Sequence, residues 1–121
     1  MATILAVDDS ETMRQMVKLT LMAGNHKVVL ADDGEDGLSK YLSTTNFDLV
    51  ITDYHMPGMD GVTMVKAVRE GERNTGVPII VLTTETSDQM KAAFREAGAS
   101  GWMSKPYSPD RLDSALKKYF G

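Results

Sequence analysis

Each of four short apolar runs in the chain is followed at once by side chains that could do chemistry. These side chains are Asp8 and Asp9, Asp53, Thr83 and Thr84, and Lys105. Two carboxylates about 4 Å apart repel each other by roughly 4 kcal/mol at an effective dielectric constant of about 20, so three acids gathered in one place need a cation. Mg²⁺ prefers oxygen ligands, binds one or two carboxylates and completes its shell with water and phosphate. If the fold brings these residues together, they predict a magnesium site that attracts phosphate.

Asp53 is the candidate nucleophile of this set. An aspartate carboxylate can form an aspartyl-phosphate intermediate, and the reaction needs a metal ion, a cationic group and hydrogen-bond donors around the phosphoryl oxygens. Asp53 comes directly after an apolar run and precedes a long turn over residues 54–61. Lys105 would supply the ammonium group, while the Thr83 hydroxyl and the Thr84 backbone amide would supply the donors.

Taken singly, each of these residues also fits an ordinary structural role. Asp8 or Asp9 would cap the first helix. Asp53 would begin a turn, and Lys105 would be a solvated lysine. Their joint occurrence after four apolar runs is much harder to explain in this way, and it favours a common site.

Two hydrophobic periodicities alternate along the chain and predict the elements that carry these residues. Apolar, β-branched runs predict strands, at residues 3–7, 27–31, 49–52, 78–82 and, more weakly, 101–104. Apolar residues at helical spacing predict the intervening helices, at residues 11–23, 38–45, 62–70, 90–97 and 112–119. Gly24, Gly71 and Gly98 stand where helices would end, and Ser108-Pro109 stands where the last one would begin.

A strand followed by a helix is thus repeated five times. Parallel strands joined by helical crossovers form a doubly wound α/β sheet. We expect a five-stranded parallel sheet in the order 2-1-3-4-5 with five helices, the flavodoxin-like topology. In that order strands one, three, four and five are neighbours, so the candidate residues at their carboxyl ends would share one edge of the sheet.

Length and composition exclude several classes of protein. The 121 residues include no cysteine, which excludes disulfides, thiolate metal sites and thiol catalysis. The net charge of -4 and the lack of a Lys/Arg run argue against nucleic-acid binding. No apolar stretch is long enough to span a membrane, and no signal peptide is expected. We therefore expect a cytoplasmic protein with one domain over residues 1–121. We expect no attached output domain, because the last helix runs almost to Gly121. We also expect a monomer.

The sequence resembles the receiver domain of two-component response regulators, above all the stand-alone regulators of the chemotaxis type. The resemblance covers the whole chain. Its marks are Val7-Asp8-Asp9-Ser10 with Met13-Arg14, the run from Asp53 to Gly61, Thr83-Thr84-Glu85 and Lys105-Pro106. Each mark is weak alone, but the four in this order and spacing are a strong signal for the family.

The resemblance implies a role for each residue of the set. Asp53 would be the phosphoacceptor, and it would bind Mg²⁺ (or Mn²⁺ in its place) together with Asp9 and the backbone carbonyl of His55. Asp8 would act mainly through a metal-bound water. Lys105 would pair with Asp53 before phosphorylation and with the phosphoryl group afterwards.

Other implied roles concern the switch and its tuning. Thr83 would be the switch hydroxyl that moves toward the phosphoryl oxygen. His55 and Glu85 would occupy the two variable positions that tune dephosphorylation. The Lys105–Pro106 peptide bond would be cis, an isomer found in only about 5–6% of X-Pro bonds.

In the same way the resemblance implies a switch protein rather than an enzyme. A histidine kinase would donate the phosphoryl group, and the surface of helix 4, strand 5 and helix 5, residues 86–119, would bind a target such as a flagellar switch component or a phosphatase. Candidate residues on this surface are Met90, Lys91, Trp102, Tyr107, Lys117 and Lys118. Trp102 stands where the family usually has Tyr or Phe as an aromatic switch residue. By this resemblance we expect the movement of Thr83 to be coupled to that of Trp102. A phosphate sink or phosphorelay intermediate is the alternative to a role in chemotaxis.

Three other functions are compatible with parts of the pattern. A phosphatase of the haloacid-dehalogenase type also uses a strand-end Asp and Mg²⁺, but it expects a second Asp where this chain has His55, and it needs a cap domain. A flavodoxin-like carrier of FMN needs a Ser/Thr/Gly-rich phosphate loop after strand one, where Asp8 and Asp9 would repel the phosphate. A receiver fold that has lost phosphorylation and serves for docking would not need the intact set of acids, threonine and lysine.

Overall fold

The computed structural model describes residues 2–43, 46–71, 76–84, 87–105 and 108–120, with the backbone alone at 119 and 120. Five strands alternate with five helices along the chain. They are β1 (Thr3–Val7), α1 (Glu11–Ala23), β2 (Lys27–Ala31), α2 (Gly34–Ser43), β3 (Leu49–Asp53), α3 (Gly61–Glu70), β4 (Ile79–Thr83), α4 (Asp88–Ala97), β5 (Gly101–Ser104) and α5 (Pro109–Phe120). The predicted five-fold repeat of strand and helix is confirmed.

All five strands are parallel, and they lie in the order β2-β1-β3-β4-β5, as predicted. The register pairs Val7 of β1 with Thr52 of β3, and Asp53 with Leu82 of β4. Thr83, the last residue of β4, pairs with Ser104 of β5. The carboxyl ends of four neighbouring strands therefore meet at one edge of the sheet.

An apolar layer lies on each face of this sheet. One layer packs α2, α3 and α4 against the sheet through residues such as Tyr41, Met64 and Phe94. The other packs α1 and α5 through Leu21 and Leu112. Every residue of β3 and β4 is buried, which explains why their sequences do not alternate between polar and apolar residues.

The helix ends agree with the residues that were predicted to form them. Gly24, Gly71 and Gly98 are C-caps, and Gly98 has a left-handed φ of 106° that a side chain would strain. The Ser108 hydroxyl accepts a hydrogen bond from the backbone amide of Arg111, and Pro109 is the first residue of α5. These caps fix where α1, α3 and α4 end and where α5 begins.

Candidate metal and phosphoryl site

Three carboxylates meet at the carboxyl edge of the sheet. Oxygens of Asp8, Asp9 and Asp53 all lie within 4.8 Å of one another. Asp8 and Asp53 are 4% and 3% exposed, whereas Asp9 faces solvent. The structure therefore brings together the three acids that the sequence singled out, two of them with little water around them.

Lys105 closes the other side of this cluster. Its ammonium nitrogen lies 2.8 Å from Oδ1 of Asp53 and 3.8 Å from Oδ2 of Asp8. The backbone amide of Lys105 donates to the carbonyl oxygen of Thr83 over 2.8 Å, which holds the lysine at the end of β4 and β5. The ion pair between Lys105 and Asp53 that the resemblance implied is present in this geometry.

Burial opposes ionisation of the two inner acids. Desolvation raises the pKa of Asp8, although the backbone amide of Ser10 donates to its Oδ1 over 2.9 Å and lowers the pKa in part. Desolvation also raises the pKa of Asp53, and the hydrogen bond from Lys105 counters it. The negative charge of the neighbouring acids adds to the rise at both positions. The cluster is therefore short of positive charge.

The donor set fits a hard divalent cation. Oδ2 of Asp8 is buried and accepts no hydrogen bond from any described residue, with only the Lys105 ammonium nearby. A buried oxygen without a donor is costly. Carboxylate oxygens are the ligands that Mg²⁺ prefers, so an ion at this cluster would satisfy that oxygen and relieve the repulsion. The acids thus have the character of a magnesium site.

His55 and the threonines complete the surroundings of the acids. The His55 ring is exposed, lies 4.6 Å from the Tyr54 ring and lines, with Asp9, an open cleft of about 320 Å³. Ligation by its backbone carbonyl stays a prediction. Thr83 is buried at the end of β4, next to the register partner of Asp53, and Thr84 follows it at the surface.

Some predicted residues lie outside the part of the chain that the structure describes. They are Glu85, Pro106 with its peptide bond to Lys105, and Tyr107.

The sequence matches the family model of the response regulator receiver domain over residues 4–117. The chain belongs to this family. The matched range includes all three acids and Lys105, and the resemblance predicted from the motifs is confirmed.

Curated relatives and solved structures agree with this assignment. The chain is 36% identical over 118 residues to the chemotaxis protein CheY of Pseudomonas aeruginosa, covering 97% of this chain and 94% of that one. It is also 36% identical to CheY-3 of Vibrio cholerae, over 97% of this chain and 90% of the relative. The chemotaxis response regulator CheY4 of Vibrio cholerae has the same fold with a TM-score of 0.93 and 43% identity, over 98% of both chains. A response regulator of Burkholderia multivorans gives a TM-score of 0.81 at 43% identity, over 100% and 97% of the two chains.

Elsewhere in this receiver domain, the predicted partner residues lie on α4, β5 and α5. We call Met90, Lys91, Trp102, Lys117 and Lys118 the output face. Trp102 is partly buried, and Lys117 and Lys118 are exposed.

Across the helices that the structure describes, none is both long and apolar enough to cross a bilayer.

Cations from α4 flank Trp102 on the output face. The Lys91 ammonium lies 5.9 Å from the centre of the indole ring, and the Arg95 guanidinium carbon lies 5.3 Å from it. Such cation–π contacts hold an indole against its neighbours. Sequence reasoning missed Arg95, although its spacing of four residues from Lys91 places both on one side of a helix.

Sequence reasoning also missed the contact that Arg14 makes with the acidic cluster. The Arg14 guanidinium donates to the backbone carbonyl oxygen of Asp8 over 2.7 Å. The motif that marks the family includes Arg14, but spacing alone gives no reason for a cation there.

Proposed function

We propose that this receiver domain is a phosphorylation switch that takes a phosphoryl group onto Asp53 from a histidine kinase. The observation that carries the proposal is the placement of Asp53. It ends a central strand, it is buried, and it lies between the Lys105 ammonium and two further carboxylates. A solitary structural aspartate would need neither neighbour.

The transfer needs no oxidant, reductant or second substrate. A carboxylate oxygen of Asp53 forms a bond to phosphorus as the bond from phosphorus to the imidazole nitrogen of the donor's phosphohistidine breaks. The bonding electron pair stays on the imidazole, which takes up a proton from solvent. Asp53 must be ionised to attack, and the 2.8 Å ion pair with Lys105 favours the ionised form.

Asp8, Asp9 and Asp53, with the carbonyl of His55, would hold Mg²⁺ or Mn²⁺. When bound, the ion would neutralise the acids and the oxygens of the transferred group. Lys105 would stay beside Asp53 after transfer and pair with the added negative charge. The Thr83 hydroxyl and the Thr84 amide would donate to the remaining phosphoryl oxygens.

The same proposal extends to regulation. The new charge would draw Thr83 and Lys105 toward the phosphoryl group and shift a two-state element toward its active form. A target protein, a flagellar switch component or a phosphatase, would read that shift at the output face. The chain would therefore be an acceptor and a switch rather than an enzyme with a separate substrate. The kinship with chemotaxis proteins favours a role in motility, and a phosphate sink or relay is the alternative.

Intact mass tests the chemistry. We expect one added phosphoryl group after incubation with acetyl phosphate and Mg²⁺, no addition to Asp53→Asn, and no addition when EDTA replaces the metal. An adduct that persists in Asp53→Asn would place the acceptor elsewhere. If neither an adduct nor Mg²⁺ binding is detected, we would conclude that the chain is a receiver fold that has lost phosphorylation and serves for docking.

Transfer from a kinase separates the switch from the sink. A protein that is phosphorylated by a kinase and then binds a motility target more tightly is a switch. A protein that passes its phosphoryl group back to the kinase, with no change in target binding, is a sink, and one that passes the group on to another regulator is a relay.

A further inference from the structure

Arg14 lies in an unusual place for a cation. It is the fourth residue of α1, whose N-cap is Ser10. Positive charge near the N-terminus of a helix opposes the helix dipole, so Arg14 gains nothing from its own helix. Its side chain instead reaches back to the end of β1, where it donates to the carbonyl oxygen of Asp8 over 2.7 Å.

The carbonyl that Arg14 binds lies just beyond the last residue of β1. The backbone amide of Asp8 still donates to the carbonyl of Ala31, the last residue of β2. Beyond Ala31 the chain turns into α2, and the Asp8 carbonyl takes its hydrogen bond from Arg14. The guanidinium thus supplies the hydrogen-bond donor that a neighbouring strand would otherwise provide at the point where the backbone leaves the sheet.

A second cation nearby provides a comparison. Lys40 of α2 donates to the carbonyl oxygen of Leu30 over 2.7 Å, but it also pairs with Asp36 at 3.0 Å. Arg14 borders the same shallow cleft of about 200 Å³. Of the carboxylates that the structure describes, none lies within 4 Å of its guanidinium nitrogens. The visible role of Arg14 is its bond to Asp8.

The peptide that Arg14 fixes joins two of the three acids. The Asp8 side chain has its own anchor, the backbone amide of Ser10. Asp9 is exposed, and its carboxylate accepts no hydrogen bond from the described part of the chain. The direction of the Asp9 side chain therefore depends on the backbone between Asp8 and Asp9.

We infer that Arg14 is a positioning residue of the acidic site, which orients Asp9 by clamping the Asp8 carbonyl and so raises the affinity for a divalent cation. The inference rests on the proposed function, because it assigns Arg14 to the same metal-dependent site. A bond from outside the ligand set that orients a ligand typically changes metal affinity by about 10–100-fold when it is lost.

The sign of the effect separates positioning from simple charge. Arg14 is a cation near a cation site, so its charge alone weakens Mg²⁺ binding, and a neutral substitute would tighten it. Loss of a clamp acts in the opposite direction. A neutral substitute that weakens Mg²⁺ binding can do so only through geometry.

The experiment measures the dissociation constant of Mg²⁺ by calorimetry on the unphosphorylated chain. We expect Arg14→Met to bind Mg²⁺ roughly 10-fold more weakly, and Arg14→Lys, which keeps a donor and the charge, to recover part of the loss. Lys18→Met is the matched control, because it removes the same charge from an exposed position one turn further along α1. Equal or tighter binding by Arg14→Met would overturn the inference. Far-ultraviolet circular dichroism confirms that each variant is folded, and Arg14→Gln replaces Arg14→Met if that variant is not.

Phosphorylation by acetyl phosphate gives a second readout. At saturating Mg²⁺ we expect Arg14→Met to recover most of the wild-type rate, because the clamp acts on metal binding. A rate that stays low at saturation, with unchanged Mg²⁺ affinity, would overturn the inference. A wild-type chain that binds Mg²⁺ but takes a phosphoryl group neither from acetyl phosphate nor from a histidine kinase would refute the proposed function, while the affinities of the Arg14 variants would still test the clamp.

Discussion

The two buried acids of the site differ in how their charge is compensated. The ammonium group of Lys105 lies 2.8 Å from Asp53. Asp8 instead accepts a hydrogen bond from one backbone amide, and the same ammonium group lies 3.8 Å from it. Burial raises the pKa of both. In the metal-free folded protein, the charges of these buried acids therefore lower the free energy of unfolding. The effect is greatest at Asp8, because Lys105 lies farther from it than from Asp53.

This effect makes Asp8 a source of pH-dependent stability. Because its pKa is raised in the folded state, the folded protein keeps a proton that the unfolded chain has already lost between the ordinary and the raised pKa. The free energy of unfolding of the metal-free protein should therefore fall as pH rises through that range, and stay lower at neutral pH. We expect Asp8→Asn to raise it on the order of 1 kcal/mol near about pH 7, measured by urea denaturation in EDTA.

Two controls accompany the Asp8→Asn measurement. The gain should shrink at acid pH, where Asp8 is neutral in the folded and the unfolded state. It should also shrink or reverse in saturating Mg²⁺, because the wild type keeps the third carboxylate and gains more stability from binding. If Asp8→Asn is less stable than the wild type in EDTA at neutral pH, the account of Asp8 is wrong.

We expect Lys105 to stabilise the metal-free site and to oppose binding of a metal ion. In Lys105→Met, Asp53 would remain buried without its partner, so we expect the metal-free free energy of unfolding to fall by about 2 to 3 kcal/mol. Mg²⁺ should bind several-fold more tightly, since a nearby positive charge has gone. Calorimetry and urea denaturation measure the two effects. Lys117→Met, which removes an exposed lysine paired at 3.7 Å with Asp113, should change neither.

At the scale of elements, apolar spacing predicted the strands and the ends of helices better than their beginnings. α2 begins at Gly34, four residues before the first apolar residue of the predicted helix, and α4 begins at Asp88, two residues before it. Polar residues fill these first turns, where acids favour the positive end of the helix dipole and no apolar pattern is needed. β3 and β4 each end one residue later than predicted, on Asp53 and Thr83, because ladder pairing tolerates a polar residue there.

Gly61 allows α3 to lie very close to the end of β3, the strand that ends on Asp53. A Cβ at this position would overlap the carbonyl oxygen of Asp53, and it would lie 3.0 Å from the Cα of Tyr54. These are backbone atoms that cannot move aside without displacing the acid. We expect Gly61→Ala to lower the free energy of unfolding by about 1–3 kcal/mol and to slow phosphorylation of Asp53, measured by denaturation and intact mass.

Gly71→Ala is the control for Gly61→Ala. Gly71 ends the same helix with a negative φ of -82°, and the nearest atom to its added Cβ would be the Ala67 carbonyl oxygen at 3.3 Å. It should leave phosphorylation unchanged. Equal rates for wild type and Gly61→Ala would mean that the close approach of α3 has no bearing on the site.

For the whole molecule, the sequence predicted the convergence of the acids and Lys105, because the repeat of strand and helix predicts parallel strands and 2-1-3-4-5 is a common order for five of them. Two features could not be predicted from the sequence. The reach of Arg14 to Asp8 depends on where β2 ends, and spacing does not specify it. The contact of Tyr54 with Phe94 joins residues forty positions apart, across α3 and β4, and no local pattern encodes it.

Those ring contacts link the site to the output face. Tyr54 directly follows Asp53, its ring centre lies 5.4 Å from that of Phe94, and the ring centre of Phe94 lies 6.3 Å from that of Trp102. Phe94 is fully buried, so it cannot shift without moving both neighbours. We therefore expect a displacement at the end of β3 to move Trp102, whose ring also lies near Lys91 and Arg95.

Trp102 is the single tryptophan of the chain, so its fluorescence can report this coupling. We expect acetyl phosphate with Mg²⁺ to change the emission of the wild type and to leave Asp53→Asn unchanged. In Phe94→Leu, intact mass should still detect phosphorylation, but the fluorescence change should weaken, corresponding to about 1 kcal/mol less coupling. Phe47→Leu, which alters a buried ring stacked on Tyr41 instead, is the matched control and should respond like the wild type. A full fluorescence response in Phe94→Leu would mean that the signal reaches Trp102 by another route, with Thr83 the first alternative to test.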